Sequence, residues 1–264
     1  MLLAQMSDLH LCAKPLQGTV YTGGFFKKAV ASVLAFSPRP DAVVLTGDLV
    51  ERGSVDEYLQ LRAALAPLSA VMPVHLQVGN HDDRAALRAV FGVAAGEQAS
   101  PFHQYAVEVG QGRLVVCDTV EPGHAWGSLC AERLDWLDRT LAQAPDRPTV
   151  VAFHHPPFAT GIGFMDRLGL RSGADECAAI LARHQQVQRV ICGHVHRALV
   201  VPFAGKIAMT APSVAHQIPV ALDAQAPEAF VFEPPGWLLH RWDGSVMQSY
   251  VMPVERDGAP QLYR

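Results

Sequence analysis

Short apolar runs alternate with amphipathic stretches along most of the chain. Five of the runs cover residues 2–6, 42–46, 74–78, 149–153 and 190–192. Runs of this length predict buried β-strands, and apolar residues spaced three and four apart between them predict helices. Strands that alternate with helices form largely parallel sheets through right-handed crossovers. The pattern therefore predicts an α/β protein.

The segments between the strands carry helix signals. The predicted helices cover roughly 25–36, 55–66, 131–143 and 174–184. Ser54 and Glu57 form a capping-box signature for the second helix, and Pro67 is expected to end it. Another helix is predicted after Asp82 and Asp83, which are expected to cap its first turn. Residues 156–171 are predicted to form a loop.

Two parts of the chain have a β-rich pattern. Residues 103–109 and 113–118 predict a hairpin around Gly110. Beyond residue 196, strands are predicted at 199–203, 206–209, 230–232, 237–240 and 246–252, with a loop over 215–229 and a mobile tail over the last dozen residues. Together the elements predict a two-sheet β-sandwich flanked by helices. We expect a core over 1–212 and a β-rich C-terminal extension over 213–264, packed on the core or at an oligomer interface.

Composition excludes several classes of protein. Half of the 264 residues are apolar, the formal net charge is −4 with neutral histidines, and no cluster of Lys or Arg occurs. This argues against a nucleic-acid polymer as the main partner. No apolar run approaches the ~18 residues of a membrane span, and the N-terminus lacks the basic start of a signal peptide. We therefore expect a cytoplasmic protein with no membrane partner. The five cysteines include no Cys-x-x-Cys pair, which argues against a disulfide framework or a thiolate zinc site.

Polar residues follow the end of each of the five strands. In chain order they are Asp8, His10, Asp48, Asn80, His154, His194 and His196. The carboxyl ends of strands in an open α/β sheet meet at one crevice, so we expect these side chains to converge. Oxygen and nitrogen donors of this kind suit Mn, Fe, Zn or Co. Seven ligands are too many for one tetrahedral ion and fit two ions that share a bridging carboxylate.

The blocks around these residues resemble the five signature blocks of the calcineurin-like metallophosphoesterases. They are Asp8-x-His10, Gly47-Asp48, Gly79-Asn80-His81-Asp82, His154 and Gly193-His194-x-His196. The resemblance implies the αββα metallophosphoesterase fold. The stretch from Gly47 to Gly53, the run His154-His155-Pro156-Pro157 and the β-rich C-terminus are similar to one bacterial branch. That branch contains class III cyclic-nucleotide phosphodiesterases and glycerophosphodiesterases.

The same resemblance implies roles for individual residues. Asp8, His10 and His196 would bind one ion, Asn80, His154 and His194 would bind the other, and Asp48 would bridge them. His81 would contact the phosphate or protonate the leaving alkoxide, and His216 would contact the substrate or support the site. The implied reaction is hydrolysis of a small phosphodiester by hydroxide bound to two divalent ions.

Several alternatives remain open at this point. A purple acid phosphatase would carry Tyr at the position of Glu51, and a protein Ser/Thr phosphatase normally carries Glu at the position of Asp82. A phosphomonoesterase or protein phosphatase of the same superfamily is nevertheless the main alternative, and a non-catalytic binding scaffold is a remote one. Phe158, Phe164 and Met165 form either an apolar wall for a nucleobase or ordinary packing.

Oligomerisation is a further expectation. The C-terminal strands carry apolar aromatic residues, namely Phe230, Phe232, Trp237 and Trp242. Together with the resemblance they favour a homo-oligomer, a dimer or larger. The alternative is that these residues close the second sheet of the chain itself.

Overall fold

The computed structural model describes residues 1–12, 14–15, 20–97, 100–223, 225–255 and 258. They form two stacked sheets with helices packed on both outer faces. The strands are β1 (Leu2–Met6), β2 (Ala42–Thr46), β3 (Val74–Gln77), β4 (Tyr105–Val109), β5 (Gly112–Val116), β6 (Thr149–Phe153), β7 (Val187–Cys192), β8 (Leu199–Phe203), β9 (Lys206–Thr210), β10 (Gly236–Trp242) and β11 (Met247–Pro253). The helices are α1 (Thr22–Leu34), α2 (Val55–Ser69), α3 (Arg84–Phe91), α4 (Ala131–Ala142), α5 (Gly163–Arg167) and α6 (Ala174–Arg183).

Both sheets mix parallel and antiparallel strands: the first has one antiparallel edge, and the second has an antiparallel strand at each edge. The first sheet has the order β11-β10-β1-β2-β3, in which β1, β2 and β3 are parallel and β10 is antiparallel to both neighbours. The second has the order β4-β5-β6-β7-β9-β8, with β5, β6, β7 and β9 parallel. The predicted α/β two-sheet sandwich is confirmed. The five strands that precede the candidate ligands are parallel within their sheets, so their carboxyl ends lie at the same edge.

Three apolar layers hold the sheets and helices together. One lies between the first sheet and helices α1, α2 and α3, and includes Phe26 and Leu61. A second lies between the other sheet and helices α4 and α6, and includes Leu137. The third lies between the two sheets and includes Leu3 and Val150. Strands buried on both faces carry near-continuous apolar runs, which is why they stand out in the sequence.

The contact between the sheets becomes polar near the carboxyl ends of the strands. The Nε2 group of Gln5 in β1 donates hydrogen bonds of 3.0 Å to the Thr46 hydroxyl and to the Cys192 carbonyl of the second sheet. The Nε2 group of Gln77 in β3 donates bonds of 2.9 Å to the carbonyls of Cys117 and Ala152. Buried amides that are bonded in this way fix the spacing of the sheets directly below the candidate ligands.

Several predicted boundaries were wrong. Helix α2 does not end at Pro67 but continues to Ser69. A proline in the last turn removes only one intrahelical hydrogen bond, and the extra turn buries Leu68 completely. The predicted loop over 156–171 contains the short helix α5. The predicted strand over 230–232 forms only a bridge between Val231 and Gln217.

The C-terminal strands complete the first sheet. Strand β10 pairs with β1 on one side and with β11 on the other, and Trp237 of β10 packs edge-on against Phe36. The boundary at residue 212 stays a prediction, and most of the predicted tail lies outside the described residues. Among the described helices, none is both long and apolar enough to cross a membrane.

A buried histidine in β10 generates a prediction about pH. The Nδ1 atom of His240 lies 2.8 Å from the Ser249 hydroxyl, and its Nε2 atom lies 3.0 Å from the Gln5 side-chain oxygen. Burial, and secondly the charge of Arg189, lower the pKa of His240 to about 3. Below the pKa of the unfolded chain, ~6.5, the unfolded state binds a proton that the folded state excludes. The free energy of unfolding therefore falls as the pH decreases from ~6.5 towards 3.

We expect His240→Gln to remove this contribution. The stability difference between the wild type and the variant should shrink with decreasing pH, by up to ~1.4 kcal/mol per pH unit. Urea unfolding at pH 7, 6, 5 and 4 measures it. Parallel stability profiles for the two proteins would contradict the prediction.

Candidate metal centre

The backbone turns sharply where the strands deliver the candidate ligands. Five of these residues have φ in the left-handed region, namely Asp8 (53°), His10 (44°), Asp48 (47°), His194 (70°) and His196 (52°). Residues with a Cβ avoid this region because of steric clashes. Strain of this kind costs of the order of 1–3 kcal/mol per residue and concentrates at functional sites. Among the other described non-glycine residues, only Ala204 has a positive φ.

Glycines next to the ligands allow the loops to touch. A Cβ atom on Gly79 would lie 2.3 Å from the backbone nitrogen of Asp48, and one on Gly47 would lie 2.2 Å from Nδ1 of His154. A Cβ atom on Gly193 would lie 2.3 Å from the carbonyl oxygen of Thr46. Real Cβ atoms do not approach other atoms so closely, so only glycine fits these three positions. The loops of both sheets can therefore meet in one compact site.

One group of candidate ligands comes from the ends of β1, β2 and β7. The ligand atoms of Asp8, His10, Asp48 and His196 all lie within 4.8 Å of one another. The Nε2 atoms of His10 and His196 are 3.2 Å apart. The Nε2 atom of His10 is 3.6 Å from Oδ2 of Asp48, and that of His196 is 3.6 Å from Oδ1 of Asp8.

A second group comes from the ends of β3, β6 and β7. The Nε2 atom of His154 lies 3.1 Å from Oδ1 of Asn80 and 3.4 Å from Oδ1 of Asp48. The rings of His154 and His194 have centroids 5.1 Å apart. Asp48 therefore directs one carboxylate oxygen to each group.

The hydrogen bonds of three imidazoles leave Nε2 as the free nitrogen. The Nδ1 groups of His10, His154 and His196 donate to Oε2 of Glu51 (2.9 Å), the Thr46 carbonyl (2.8 Å) and the His216 carbonyl (3.0 Å), respectively. A proton held on Nδ1 leaves the lone pair of a neutral ring on Nε2, the usual arrangement of a metal-binding histidine. Two such lone pairs only 3.2 Å apart, on His10 and His196, repel each other unless a cation or a proton lies near both.

Other buried atoms also fit a bound cation. Oδ2 of Asp8 and Nε2 of His194 are buried and have no hydrogen-bond partner among the described residues. Burial, and then the charge of His154, lower the pKa of His194 to about 3, which keeps this ring neutral. Burial alone would raise the pKa of Asp48, but the charges of His154 and His81 hold it well below its usual range. A positive charge beside Asp48 is therefore part of the site, carried either by a proton on Nε2 of His154 or by a metal ion in its place. The donor atoms, their charge and their unmet bonding therefore fit divalent metal ions.

His155 lies beside His154 and His194 of the second ligand group, but hydrogen bonds occupy both of its ring nitrogens. Its Nδ1 atom lies 2.8 Å from the Thr119 hydroxyl, and its Nε2 atom lies 3.2 Å from the Ala125 carbonyl. Its ring packs 4.6 Å from that of His194, centroid to centroid. His155 therefore supports the orientation of His194.

A cavity of about 230 Å³ lies over the two groups. His81 and His216 line it together with ligand side chains, and the apolar part of the lining consists of Ala125, Phe164, Met165, Leu168 and Ile218. The Nδ1 group of His81 donates to the Glu51 carbonyl at 2.9 Å, which leaves its Nε2 atom for other contacts. The His216 ring lies 4.7 Å from that of His196, and its buried Nδ1 atom has no partner among the described residues.

Asp82 has a different position from the one expected. Asp83 caps α3 by accepting a 2.8 Å hydrogen bond from the Ala86 nitrogen, but Asp82 does not cap it. The Asp82 carboxylate instead accepts hydrogen bonds from the backbone nitrogens of Gly79 (2.8 Å) and Leu49 (3.1 Å). It therefore joins the loop of Asp48 to the loop of Asn80.

Glu51 contributes to the site, and the sequence pattern did not reveal it. Its Oε2 atom lies 2.9 Å from Nδ1 of His10 and 3.7 Å from Nδ1 of His81. The sequence offered one signal, the position of Glu51 three residues after Asp48 in the same loop. Glu51 therefore connects a candidate metal ligand with the histidine that lines the cavity.

Comparisons with known proteins agree with this geometry. Residues 1–198 match the family model of the calcineurin-like phosphoesterases. The chain is 32% identical over 267 residues to the glycerophosphodiester phosphodiesterase of Enterobacter lignolyticus, covering 100% of this chain and 95% of the relative. It is 35% identical over 199 residues to the 3',5'-cyclic adenosine monophosphate phosphodiesterase of Pseudomonas aeruginosa, covering 74% and 70%.

A solved structure shows the same fold. The dimetal phosphatase from Danio rerio superposes with a TM-score of 0.66 at 16% identity, covering 96% of this chain and 99% of that chain. At this identity the likeness concerns the fold alone.

We expect Glu51→Ala to weaken Mn²⁺ binding to the metal-free protein by about 10–100-fold, because the His10 ring loses the partner that fixes it. Glu51→Gln keeps a side-chain oxygen for Nδ1 and should bind Mn²⁺ more tightly than Glu51→Ala. Isothermal titration calorimetry measures both. Glu132→Ala, at an exposed position on α4, is the matched control. Wild-type affinity in Glu51→Ala would show that Glu51 does not position His10.

Proposed function

The chain belongs to the calcineurin-like phosphoesterase family, and we propose that it is a cytoplasmic, metal-dependent hydrolase of a small phosphodiester, either a cyclic nucleotide or a glycerophosphodiester. The observation that carries this proposal is the pair of ligand groups that share Asp48. The similarity to named phosphodiesterases over most of the chain supports it.

The proposed metal ligands fall into two sets with one shared member. Asp8, His10 and His196 would hold one divalent ion, Asn80, His154 and His194 would hold the other, and Asp48 would contribute a carboxylate oxygen to each group. The donor set suits Fe, Mn, Zn or Co. Divalent ions held by these residues would supply Lewis acidity to the phosphoryl group and would lower the pKa of a bound water molecule.

The protein side chains have separate tasks in this proposal. Oδ1 of Asn80 faces His154, so the Nδ2 group of the same amide remains to donate to a phosphoryl oxygen. His81 keeps Nδ1 on the Glu51 carbonyl and can transfer a proton from Nε2 to the leaving alkoxide. His216 lines the cavity beside His196 and contacts the bound phosphate ester.

The lining of the cavity favours a diester over a monoester. The described residues that line it include no lysine or arginine, and one wall is formed by Phe164, Met165, Leu168 and Ile218. A monoester dianion would present charged oxygens to this wall, and burial without a partner is costly for charge. A diester presents an ester substituent there instead. The phosphodiester is therefore favoured over the monoester alternative.

A homo-oligomer remains part of the proposal. Strand β11 is an edge strand, and the apolar residues Val246, Tyr250 and Val251 on or next to it are exposed. Trp237, in contrast, is buried inside the chain. An exposed apolar edge strand is a common surface for association.

We expect the metal-reconstituted protein to hydrolyse bis(p-nitrophenyl) phosphate with a higher kcat/KM than p-nitrophenyl phosphate. Release of p-nitrophenolate measures both reactions with Mn²⁺ and with chelator. Asp48→Ala should lose turnover together with bound metal, because both ions lose a ligand. A preference for the monoester would support the phosphatase alternative, and an Asp48→Ala variant with both metals and full turnover would refute the assignment.

The proposed role of His81 depends on the leaving group. An alkoxide needs a proton and p-nitrophenolate does not, so we expect His81→Ala to reduce kcat for glycerophosphoethanolamine by ~10²–10⁴-fold and to change kcat for bis(p-nitrophenyl) phosphate much less. Equal losses on both substrates would assign His81 to binding rather than to proton transfer. Metal content measured in parallel controls for damage to the centre.

A further inference from the structure

A second cavity adjoins the first. It has a volume of about 250 Å³, and most of its lining comes from the segment 156–174. Met165 and His194 line both cavities. Met165 is a buried residue, and because it lines both cavities it lies at the boundary between them. His194 places the second cavity directly beside the proposed metal centre.

The walls of the second cavity combine apolar side chains with a similar area of polar surface. Its lining includes Pro156, Phe158, Leu170, Ala174 and Val195, and among the described residues it contains no lysine or arginine. The one charged side chain is Asp166, whose carboxylate already accepts hydrogen bonds from Thr160 and Gly161. This carboxylate repels anions. The chemistry therefore suits an uncharged group that has both apolar and polar surface.

The volumes indicate how the cavities are used. Each one alone is below the ~300–1,000 Å³ of pockets that hold complete small-molecule ligands, whereas the two together fall within that range. Methionine has three rotatable bonds and adapts its shape to neighbouring groups. Met165 is therefore the flexible side chain at the boundary, and a change of its rotamer would join the two cavities.

The position of His81 decides which part of a diester enters the second cavity. His81 lines the first cavity and is absent from the lining of the second. A leaving alkoxide must lie within reach of the group that protonates it. The substituent on the His194 side is therefore the ester group that stays on phosphorus.

We propose that the second cavity is a subsite for the retained ester group of the diester, that it accepts an uncharged group of about the size of an aromatic ring, and that Met165 determines this specificity. The inference rests on the proposed function, since it assigns a place to one half of the same substrate.

Three substrates that release the same p-nitrophenolate test this subsite. Bis(p-nitrophenyl) phosphate retains an aryl group, methyl p-nitrophenyl phosphate retains a methyl group, and p-nitrophenyl phosphate retains none. The measured quantity is the ratio of kcat/KM for the aryl ester to kcat/KM for the methyl ester, in each variant relative to the wild type. Differences in intrinsic reactivity cancel in that comparison.

Ala174→Leu fills the second cavity from the first residue of α6. We expect it to lower the aryl-to-methyl ratio by about tenfold or more, the size of effect that a few atoms produce in an apolar pocket, and to leave kcat/KM for the methyl ester unchanged. Ala179→Leu, at an exposed position on the same helix, is the matched control and should not alter the ratio.

Met165→Ala removes the side chain at the boundary and provides a second, independent test, which holds even if Ala174→Leu fails to fold. We expect it to raise the aryl-to-methyl ratio, while Met165→Leu, with a similar volume, keeps it near the wild-type value. Thermal unfolding and metal content of each variant accompany the kinetics.

The outcomes separate this inference from the proposed function. Turnover of all diesters with ratios unchanged in both Ala174→Leu and Met165→Ala would overturn the subsite and leave the phosphodiesterase assignment intact. Absence of turnover of every substrate by metal-loaded wild type would overturn both. Equal losses for the aryl and methyl esters would assign Ala174 to the structure of the site rather than to the subsite.

Discussion

The buried carboxylate of Asp48 is the point on which both halves of the structure depend. One of its oxygens lies 3.6 Å from His10 and the other lies 3.4 Å from His154, and the backbone nitrogen of His81 donates to it at 2.9 Å. A buried anion is costly unless it is paired and hydrogen-bonded. Because His154 belongs to the second sheet, this compensation exists only when the two sheets are stacked in register. The stacking of the two sheets and the charge balance of the site therefore depend on each other.

Five residues with a left-handed backbone conformation allow the ligands of the two sheets to meet around Asp48. A ligand must leave its strand and turn at once towards the opposite sheet, and Asp8, His10, Asp48, His194 and His196 do so at positive φ. Hydrogen bonds between the loops offset the strain, since Asp8 and His10 donate backbone hydrogen bonds to the carbonyls of Gly47 and Asp48, and Oδ1 of Asp8 accepts one from His194. Strain persists in a native protein where surrounding contacts determine the conformation in this way.

The rim of the site is held by a different set of contacts. Arg197 follows the last ligand, donates to the Ile218 carbonyl and pairs with Glu233. This contact fixes the segment that carries His216 against the end of β7. Helix α5 supplies Phe164 and Met165 to the apolar lining of the cavity. The polar centre and the apolar rim therefore come from separate parts of the chain, so the rim can change without any change in the ligands.

Most of the strands, the sandwich class and the seven polar residues at the strand ends could be predicted from the sequence alone, although the strand expected over 230–232 forms only a bridge. These features are local, because an apolar run and the residue after it are neighbours in the chain. The tertiary structure decided how the residues combine, for His10 and His196 are 186 positions apart and no local pattern reports their 3.2 Å contact. It also decided the role of Glu51, whose carboxylate contacts His10 across 41 positions of the sequence. Asp82 bonds the Asp48 loop instead of capping a helix, and Met165 lies between two cavities. These outcomes depend on packing between distant segments, where the free energy of many contacts outweighs the local preference of any single residue.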